Sequence, residues 1–166
     1  CPGYINVGNK MFKCSSYGSG GHGEVDYKKA FALSCNSYFI DMGLRMGYRE
    51  LVEMAERFGL GETTGLKDQG INESSGNLPD PYRYYSSGDI ANISIGQGEI
   101  MATPVQVANI VATIANGGIR NRVNIVDSII DENGNKVRDL KNKSGHRIIS
   151  KDISDAIKSM MEEVTI

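Results

Sequence analysis

The sequence predicts a mostly helical α+β domain with a single β-hairpin in its C-terminal third. Three observations carry that expectation. Apolar residues recur at helical spacing in several separate stretches. Thr103-Pro104 is a strong helix start, because Thr caps well and Pro loses no needed N–H at the first helical position. Asn133-Gly134 between strand-like stretches is a hairpin turn signal. The length of 166 residues suits one domain, 1–166, and 40% hydrophobic with 23% charged residues are globular values.

In chain order, residues 1–25 are rich in Gly and read as loop, most clearly from Tyr17 to Gly23. Asp26 is placed to cap a helix carrying Tyr27, Ala30, Phe31 and Leu33. After a polar break at 34–36, Tyr38, Phe39, Met42 and Met46 recur at helical spacing, and Gly47 suits the helix end. A third helix spans about 49–58, with Leu51, Val52, Ala55 and Phe58 inward; its Arg49, Glu50, Glu53, Glu56 and Arg57 form a solvated face. Residues 62–100 show no convincing periodic element, and Pro79, Pro81 and several glycines punctuate them. The helix opened by Thr103 is expected to bury Val107, Ile110, Val111 and Ile114 and to stop at Asn116-Gly117-Gly118. Residues 122–139 read as the hairpin, with Val123, Ile125, Ser128 and Ile130 approaching and Val137 returning. Residues 150–164 read as a last helix, capped by Ser150 or Asp152, with Ile153, Ile157, Met160 and Met161 inward.

Composition excludes some functions. The net charge of −2, from 18 basic and 20 acidic side chains, argues against a nucleic-acid partner. No stretch approaches the roughly 18 consecutive apolar residues of a membrane span. Three cysteines permit at most one internal bridge.

Ser34-Cys35-Asn36 is the stretch most suggestive of chemistry, because it sits between two helical segments. A hydroxyl held there can relay a proton to or from a serine nucleophile, and a carboxamide can donate to a substrate carbonyl and accept from its N–H. Cys35 between them points the other way, into the core. The plain reading is that Ser34 or Asn36 merely caps the helix that follows. A second S-x-N, Ser75-Gly76-Asn77, lies in the Gly/Pro-rich loop and reads as a decoy.

Context favours the chemical reading. The chain resembles the transpeptidase domain of class B penicillin-binding proteins, the elongation-type penicillin-binding protein 2 group. The resemblance rests on Cys1-Pro2-Gly3, Cys14, Gly21-His22-Gly23, the S-x-N at 34–36, Phe58-Gly59-Leu60-Gly61, Thr64-Gly65 and Gly76-Asn77-Leu78-Pro79. The most specific block is Ser94-Ile95-Gly96-Gln97-Gly98 followed by Ala102-Thr103-Pro104-Val105-Gln106. Such enzymes use S-x-x-K, S-x-N and K-T-G. No S-x-x-K occurs here, and Lys143-Ser144-Gly145, in a charged loop, reads as a poor stand-in for K-T-G.

The resemblance therefore implies an internal piece of a penicillin-binding, serine β-lactamase-like fold, with the main sheet largely missing. The parent would be a D,D-transpeptidase that cross-links peptidoglycan stem peptides ending in D-Ala-D-Ala and is acylated by β-lactams. Ser34 and Asn36 would be catalytic, and Gln97 would shape the substrate region. The piece alone would be inert and, lacking its sheet, would tend to self-associate. The parent would work with the cell-wall elongation machinery on the outer face of the bacterial cell membrane, anchored by an N-terminal helix outside this chain. Competing readings are a D,D-carboxypeptidase or β-lactamase piece, and a non-enzymatic, zinc-stabilised interaction module.

No cofactor is required by this chemistry. Cys1, Cys14 and His22, with Glu24 or Asp26 as a fourth ligand, nevertheless form a set suited to structural zinc. A Cys1–Cys14 disulfide, suited to a family that works outside the cytoplasm, and a pair of free thiols beside a solvated His remain open alternatives. Tyr82, Arg83, Tyr84 and Tyr85 form an aromatic-basic cluster, read either as the lining of a substrate or partner groove or as a loop anchoring itself.

Overall fold

A computed structural model describes residues 1–140 and 145–165. It divides into two compact units: Cys1–Ala55, Leu78–Ile100 and Ala156–Ile166 form the first, Glu56–Asn77 and Met101–Asp155 the second. The α+β class holds, with six α-helices and three separate two-stranded sheets among the described residues. None of these helices is long and apolar enough to cross a membrane.

The first unit opens with a hairpin that composition alone hid. β1 (Tyr4–Val7) and β2 (Lys10–Lys13) pair antiparallel around a two-residue loop, Gly8-Asn9. Gly8 takes φ +57°, as the first loop position of such a turn prefers glycine. The strands are short, and only Val7 and Phe12 are buried in them. These two pack with Ile40 and Ala91, and Ile5, Leu44 and Ile95 close the cluster. Burying each such large side chain contributes about 1.5–3 kcal/mol.

α1 (Tyr27–Ala32) is capped by Asp26, whose carboxylate accepts from the Lys29 N–H, as the sequence predicted. α2 (Asn36–Met46) ends at Gly47. It buries Ser37, Ile40 and Gly43 and leaves Met42 and Met46 largely exposed, so the methionine stripe is not its core face. The reason is the partner helix. α4 (Ser87–Ile93) leads into Ser94, which approaches so closely that a Cβ on Gly43 would lie 1.8 Å from its Oγ. α4 falls in the stretch read as aperiodic. Its signal was the Ser86…Asp89 capping box, in which each side chain bonds the other residue's backbone N–H. α3 (Tyr48–Arg57) carries the expected Arg49–Glu53 ion pair at 2.6 Å.

In the second unit, α5 (Pro104–Ala115) has the predicted start, with Thr103 and Gln106 forming a capping box. Its buried residues are Gln106 and Thr113, whereas Val107 and Val111 are largely exposed. The Gln106 carboxamide sets this rotation. Its Nε2 donates to the carbonyls of Glu62 and Ser75, at 2.8 Å each, and to Gly59 at 3.4 Å. An amide feeding three main-chain acceptors must face inward. Glu73 organises the preceding loop in the same way. Its carboxylate accepts from the N–H groups of Thr64, Gly65 and Lys67 and from the Thr64 hydroxyl. Burial works against the charge, but those four donors hold its pKa down at about 2.

The predicted hairpin forms between β4 (Ser128–Ile130) and β5 (Lys136–Asp139), later than the apolar run at 123–125 suggested. Asp131 sets its turn by accepting from the N–H groups of Asn133 and Asn135. β3 (Ile119–Arg120) pairs with β6 (His146–Arg147). α6 (Lys151–Glu162) is capped by Ser150, whose Oγ accepts from the Ile153 N–H. Its buried residue is Ser154, bonded to the Ile114 carbonyl, and Ile153 is exposed instead of inward. Lys143 and Ser144 of the candidate K-[S/T]-G lie outside the described residues.

A strained serine, an oriented amide and a four-residue thiol cluster

α1 ends in a Schellman motif. The Cys35 N–H donates to the Ala30 carbonyl at 2.8 Å and the Ser34 N–H to Phe31 at 3.1 Å. That geometry forces the first residue past the helix cap into the left-handed region, a position usually held by glycine. Here it is Ser34, at φ +49°, and among the described residues no other non-glycine has positive φ. A strained, non-glycine residue of this kind points to a function for its side chain.

The capping alternative does not hold. α2 has no side-chain cap, and its N-cap position is Cys35. Asn36 is the first residue of α2, and its Nδ2 donates to the Lys13 carbonyl at 3.0 Å. One amide hydrogen is thus fixed on β2, leaving the second and the side-chain oxygen for a ligand. Ser34 and Asn36 both line an open hollow of about 300 Å³ with Phe31, Phe39, Ser94, Ile95 and Val164. The structure brings these two predicted residues together. Gln97 is exposed in the turn after α4, where its N–H meets the Asn92 carbonyl, and it does not line this hollow. Ser94 and Ile95 of the same block do. Ser75-Gly76-Asn77 belongs to the other unit, where Asn77 bridges to Met101 and the Ser75 carbonyl accepts from Gln106.

Beneath Ser34 and Asn36 lies the thiol cluster. Cys35 does point away from them into the core, but that core is where Cys1, Cys14 and His22 meet. The ligand-type atoms of the four residues lie within 4.8 Å of one another. His22 Nδ1 is 3.5 Å from Cys14 Sγ and 3.7 Å from Cys1 Sγ. Glu24 and Asp26, expected as a fourth ligand, are not members of the cluster; Cys35 takes that place, and Asp26 is occupied as the α1 cap. The bridged alternative is not what forms, since all three cysteines are free.

The chain folds this way for local reasons. The Cys1 nitrogen donates to the Gly23 carbonyl at 2.7 Å, and the Gly23 N–H returns to the Cys1 carbonyl at 3.1 Å. Gly21, at φ +94°, lets His22 fold back; a Cβ there would lie 2.3 Å from the Cys1 carbonyl oxygen. Burial raises the Cys14 thiol, but the backbone N–H groups of Ser37, Asn36 and Ser16 outweigh it and lower its pKa below the ordinary thiol value. The first of these donors belong to the N-terminus of α2, where anions are favoured. Burial pushes the Cys35 thiol up, and neighbouring Cys14 adds to that.

The donor set fits a tetrahedral, thiophilic ion. With sulfur about 2.3 Å and nitrogen about 2.0 Å from zinc, neighbouring S and N ligands sit roughly 3.5 Å apart, close to the 3.5 and 3.7 Å separations of His22 from Cys14 and Cys1. Three sulfurs and one imidazole match a closed structural site. Sequence reasoning missed Cys35 because its spacing to Cys14 follows no standard ligand pattern and its neighbours drew attention as catalytic candidates.

A family model described as the penicillin binding protein transpeptidase domain matches residues 1–166. The peptidoglycan D,D-transpeptidase MrdA of Acinetobacter baumannii is 33% identical over 124 residues, covering 70% of this chain and 18% of that protein. The peptidoglycan D,D-transpeptidase PbpA of Mycobacterium tuberculosis is 39% identical over 106 residues, covering 63% of this chain and 20% of that one. Among solved structures, M. tuberculosis penicillin-binding protein A as its penicillin G acyl-enzyme superimposes with a TM-score of 0.82 at 28% identity, over 99% of this chain and 37% of that one. Penicillin-binding protein 3 of the same organism, complexed with ampicillin, gives 0.86 at 26% identity over 99% and 35%.

Proposed function

Because this chain belongs to the penicillin-binding protein transpeptidase family, we propose that it is the S-x-N-bearing part of a D,D-transpeptidase that cross-links peptidoglycan stem peptides. The observation that carries this reading is Ser34, held in a glycine conformation beside the oriented Asn36 amide at the rim of one hollow. The polypeptide spans only about a fifth of the two curated relatives described above, and no S-x-x-K occurs in it.

In this reading the enzyme's serine nucleophile attacks the carbonyl of the penultimate D-alanine, forms an acyl-enzyme and releases the terminal D-alanine. An amine from a neighbouring stem peptide then takes the acyl group. The Ser34 hydroxyl passes the proton between the nucleophile's base and the amine that leaves or attacks. Its φ fixes the direction of the bond that carries the hydroxyl, and the hydrogen-bonded turn lowers the cost of placing it during the reaction. Asn36 uses its second N–H and its oxygen to hold the substrate's peptide group, the first N–H being committed to Lys13. β-Lactams would acylate the same serine. The enzyme would work with the wall-elongation machinery on the outer face of the cell membrane, where its polymer lies.

The finer reading of the cluster is a structural zinc ion held by Cys1, Cys14, Cys35 and His22. When bound, the ion would neutralise the thiolates and cross-link three segments of chain. Because Cys35 lies between Ser34 and Asn36, the four ligands hold the turn that aims both. The support is the donor chemistry and spacing.

The test is intact mass after incubation with a reactive penicillin. The whole enzyme that carries these residues should gain one adduct per chain, and the 166-residue chain alone should gain none. An adduct on the short chain that disappears in Ser34→Ala would make Ser34 itself the nucleophile and overturn the assignment.

A further inference from the structure

The three sulfurs of the thiol cluster are met by a set of hydrogen-bond donors. The Gly3 N–H points at Cys1 Sγ from 3.4 Å. The main-chain N–H groups of Ser37, Asn36 and Ser16 converge on Cys14, and that of Tyr38 reaches Cys35. A thiol is a weak acceptor, whereas a thiolate is a charged one that several donors stabilise. Asn36 and Ser37 supply the opening N–H groups of α2, which helical bonding leaves without a partner. No side chain caps that helix, and the Cys14 sulfur takes the place of the cap.

One side chain joins these main-chain donors. Ser37 is only 7% exposed, and its Oγ lies 3.5 Å from Cys1 Sγ. Among the described residues its hydroxyl has no other hydrogen-bond partner. A buried hydroxyl is costly unless it is bonded, so the pairing with Cys1 decides how this one is oriented. A protonated Cys1 can donate to Ser37. A metal-bound Cys1 has no S–H, and the Ser37 O–H must then turn and donate to the sulfur.

We propose that Ser37 is a positioning residue of the metal centre: its hydroxyl donates to the metal-bound Cys1 sulfur and fastens the start of α2 to the ion. The inference rests on the zinc reading above and adds to it a residue that is not a ligand. Ser37 follows Asn36 directly, so one turn of helix grips the cluster with one residue and aims the substrate amide with the other. The bond also joins α2 to the first residue of the chain by a route that bypasses the Ser34 turn. A donor on a metal-bound sulfur withdraws electron density from it, and losing such a partner typically weakens metal binding by about 10–100-fold.

The experiment uses the whole enzyme, stripped of metal. It is titrated with cobalt(II), whose thiolate charge-transfer band reports the sulfurs directly, and separately with zinc against a chromophoric chelator. Ser37→Thr and Ser37→Val fill nearly the same space and differ by the hydroxyl. Ser37→Thr should keep the wild-type band position and bind zinc within about threefold of wild type. Ser37→Val should bind zinc about 10–100-fold more weakly. It should also move the band to longer wavelength, because a sulfur without its donor gives up an electron more readily. Ser37→Ala gives the same comparison where the added methyl of the other two disturbs packing, and circular dichroism at saturating metal certifies each fold. Unchanged zinc affinity in the variants without the hydroxyl overturns the proposal. So does weaker binding with the band at its wild-type wavelength, since a residue that only supports the structure leaves the sulfur's electrons alone. A wild-type enzyme with no thiolate–cobalt band is a different failure, that of the zinc reading, and this inference falls with it.

Discussion

The Asn36 side chain donates to the main-chain carbonyl of Lys13 at 3.0 Å, and the next residue along from Lys13 is Cys14 of the thiol cluster. The start of α2 is therefore tied to the end of β2 twice. One tie is a hydrogen bond from the third motif residue, and the other runs from Cys35, the second, to Cys14. A change on either tie reaches Ser34, because its turn has no freedom of its own.

Replacing Ser34 by glycine separates stability from chemistry. The left-handed residue costs about 1 kcal/mol more with a side chain than without one. Ser34→Gly should raise the unfolding free energy by about that amount and slow acylation of the whole enzyme by about 10²–10⁴-fold. Ser34→Ala should slow it equally without the stability gain. Thermal unfolding and penicillin-acylation rates, measured on the three proteins, check both halves.

Metal analysis tests the cluster. The purified chain should carry one zinc ion, and Cys35→Ser should remove most of it. Stripping the ion with a chelator should lower the midpoint of unfolding, since a ligand at a hundred times its dissociation constant stabilises by about 2.7 kcal/mol. Wild-type and metal-free chains with the same melting temperature would count against any structural ion.

Glu73 predicts an acid limb. Its folded-state pKa of about 2 lies below the ordinary 4.5, so its contribution is complete above about 4.5 and fades as pH falls towards about 2. Glu73→Gln should destabilise the protein at neutral pH and flatten that segment of the stability profile. Urea unfolding at a series of pH values between these limits gives the comparison.

Gly43 has no room for a methyl group, because the Ser94 Oγ occupies the space. Gly43→Ala should destabilise by about 1–3 kcal/mol, the usual penalty for overpacking. Adding Ser94→Gly should recover part of that loss. A double-mutant cycle on unfolding free energies measures the coupling.

Some of this was legible in the chain itself. Asp26, Thr103-Pro104 and Ser150 start helices where their chemistry says they should, because a cap acts over one turn. The faces of those helices were less legible. Met42, Met46, Val107 and Val111 look like core residues, yet Gly43 and Gln106 set the rotation through contacts with segments distant in sequence. α4 was missed because its seven residues are too few to show a helical period, and its clearest signal is the capping box at its start. Of the site, Ser34 and Asn36 could be named from their context. Cys35 could not be joined to Cys1, Cys14 and His22, because only the fold back at Gly21 and the turn at Ser34 bring the four together.

One buried carboxamide has a consequence for the protein's chemical ageing. Gln106 donates to three loop carbonyls and accepts from the Thr103 N–H. Slow hydrolysis of that amide to an acid would turn a donor into an acceptor facing oxygens at Glu62 and Ser75, with no solvent to relieve it. A gain of about one mass unit at this residue would then mark the molecules that have begun to lose their second unit.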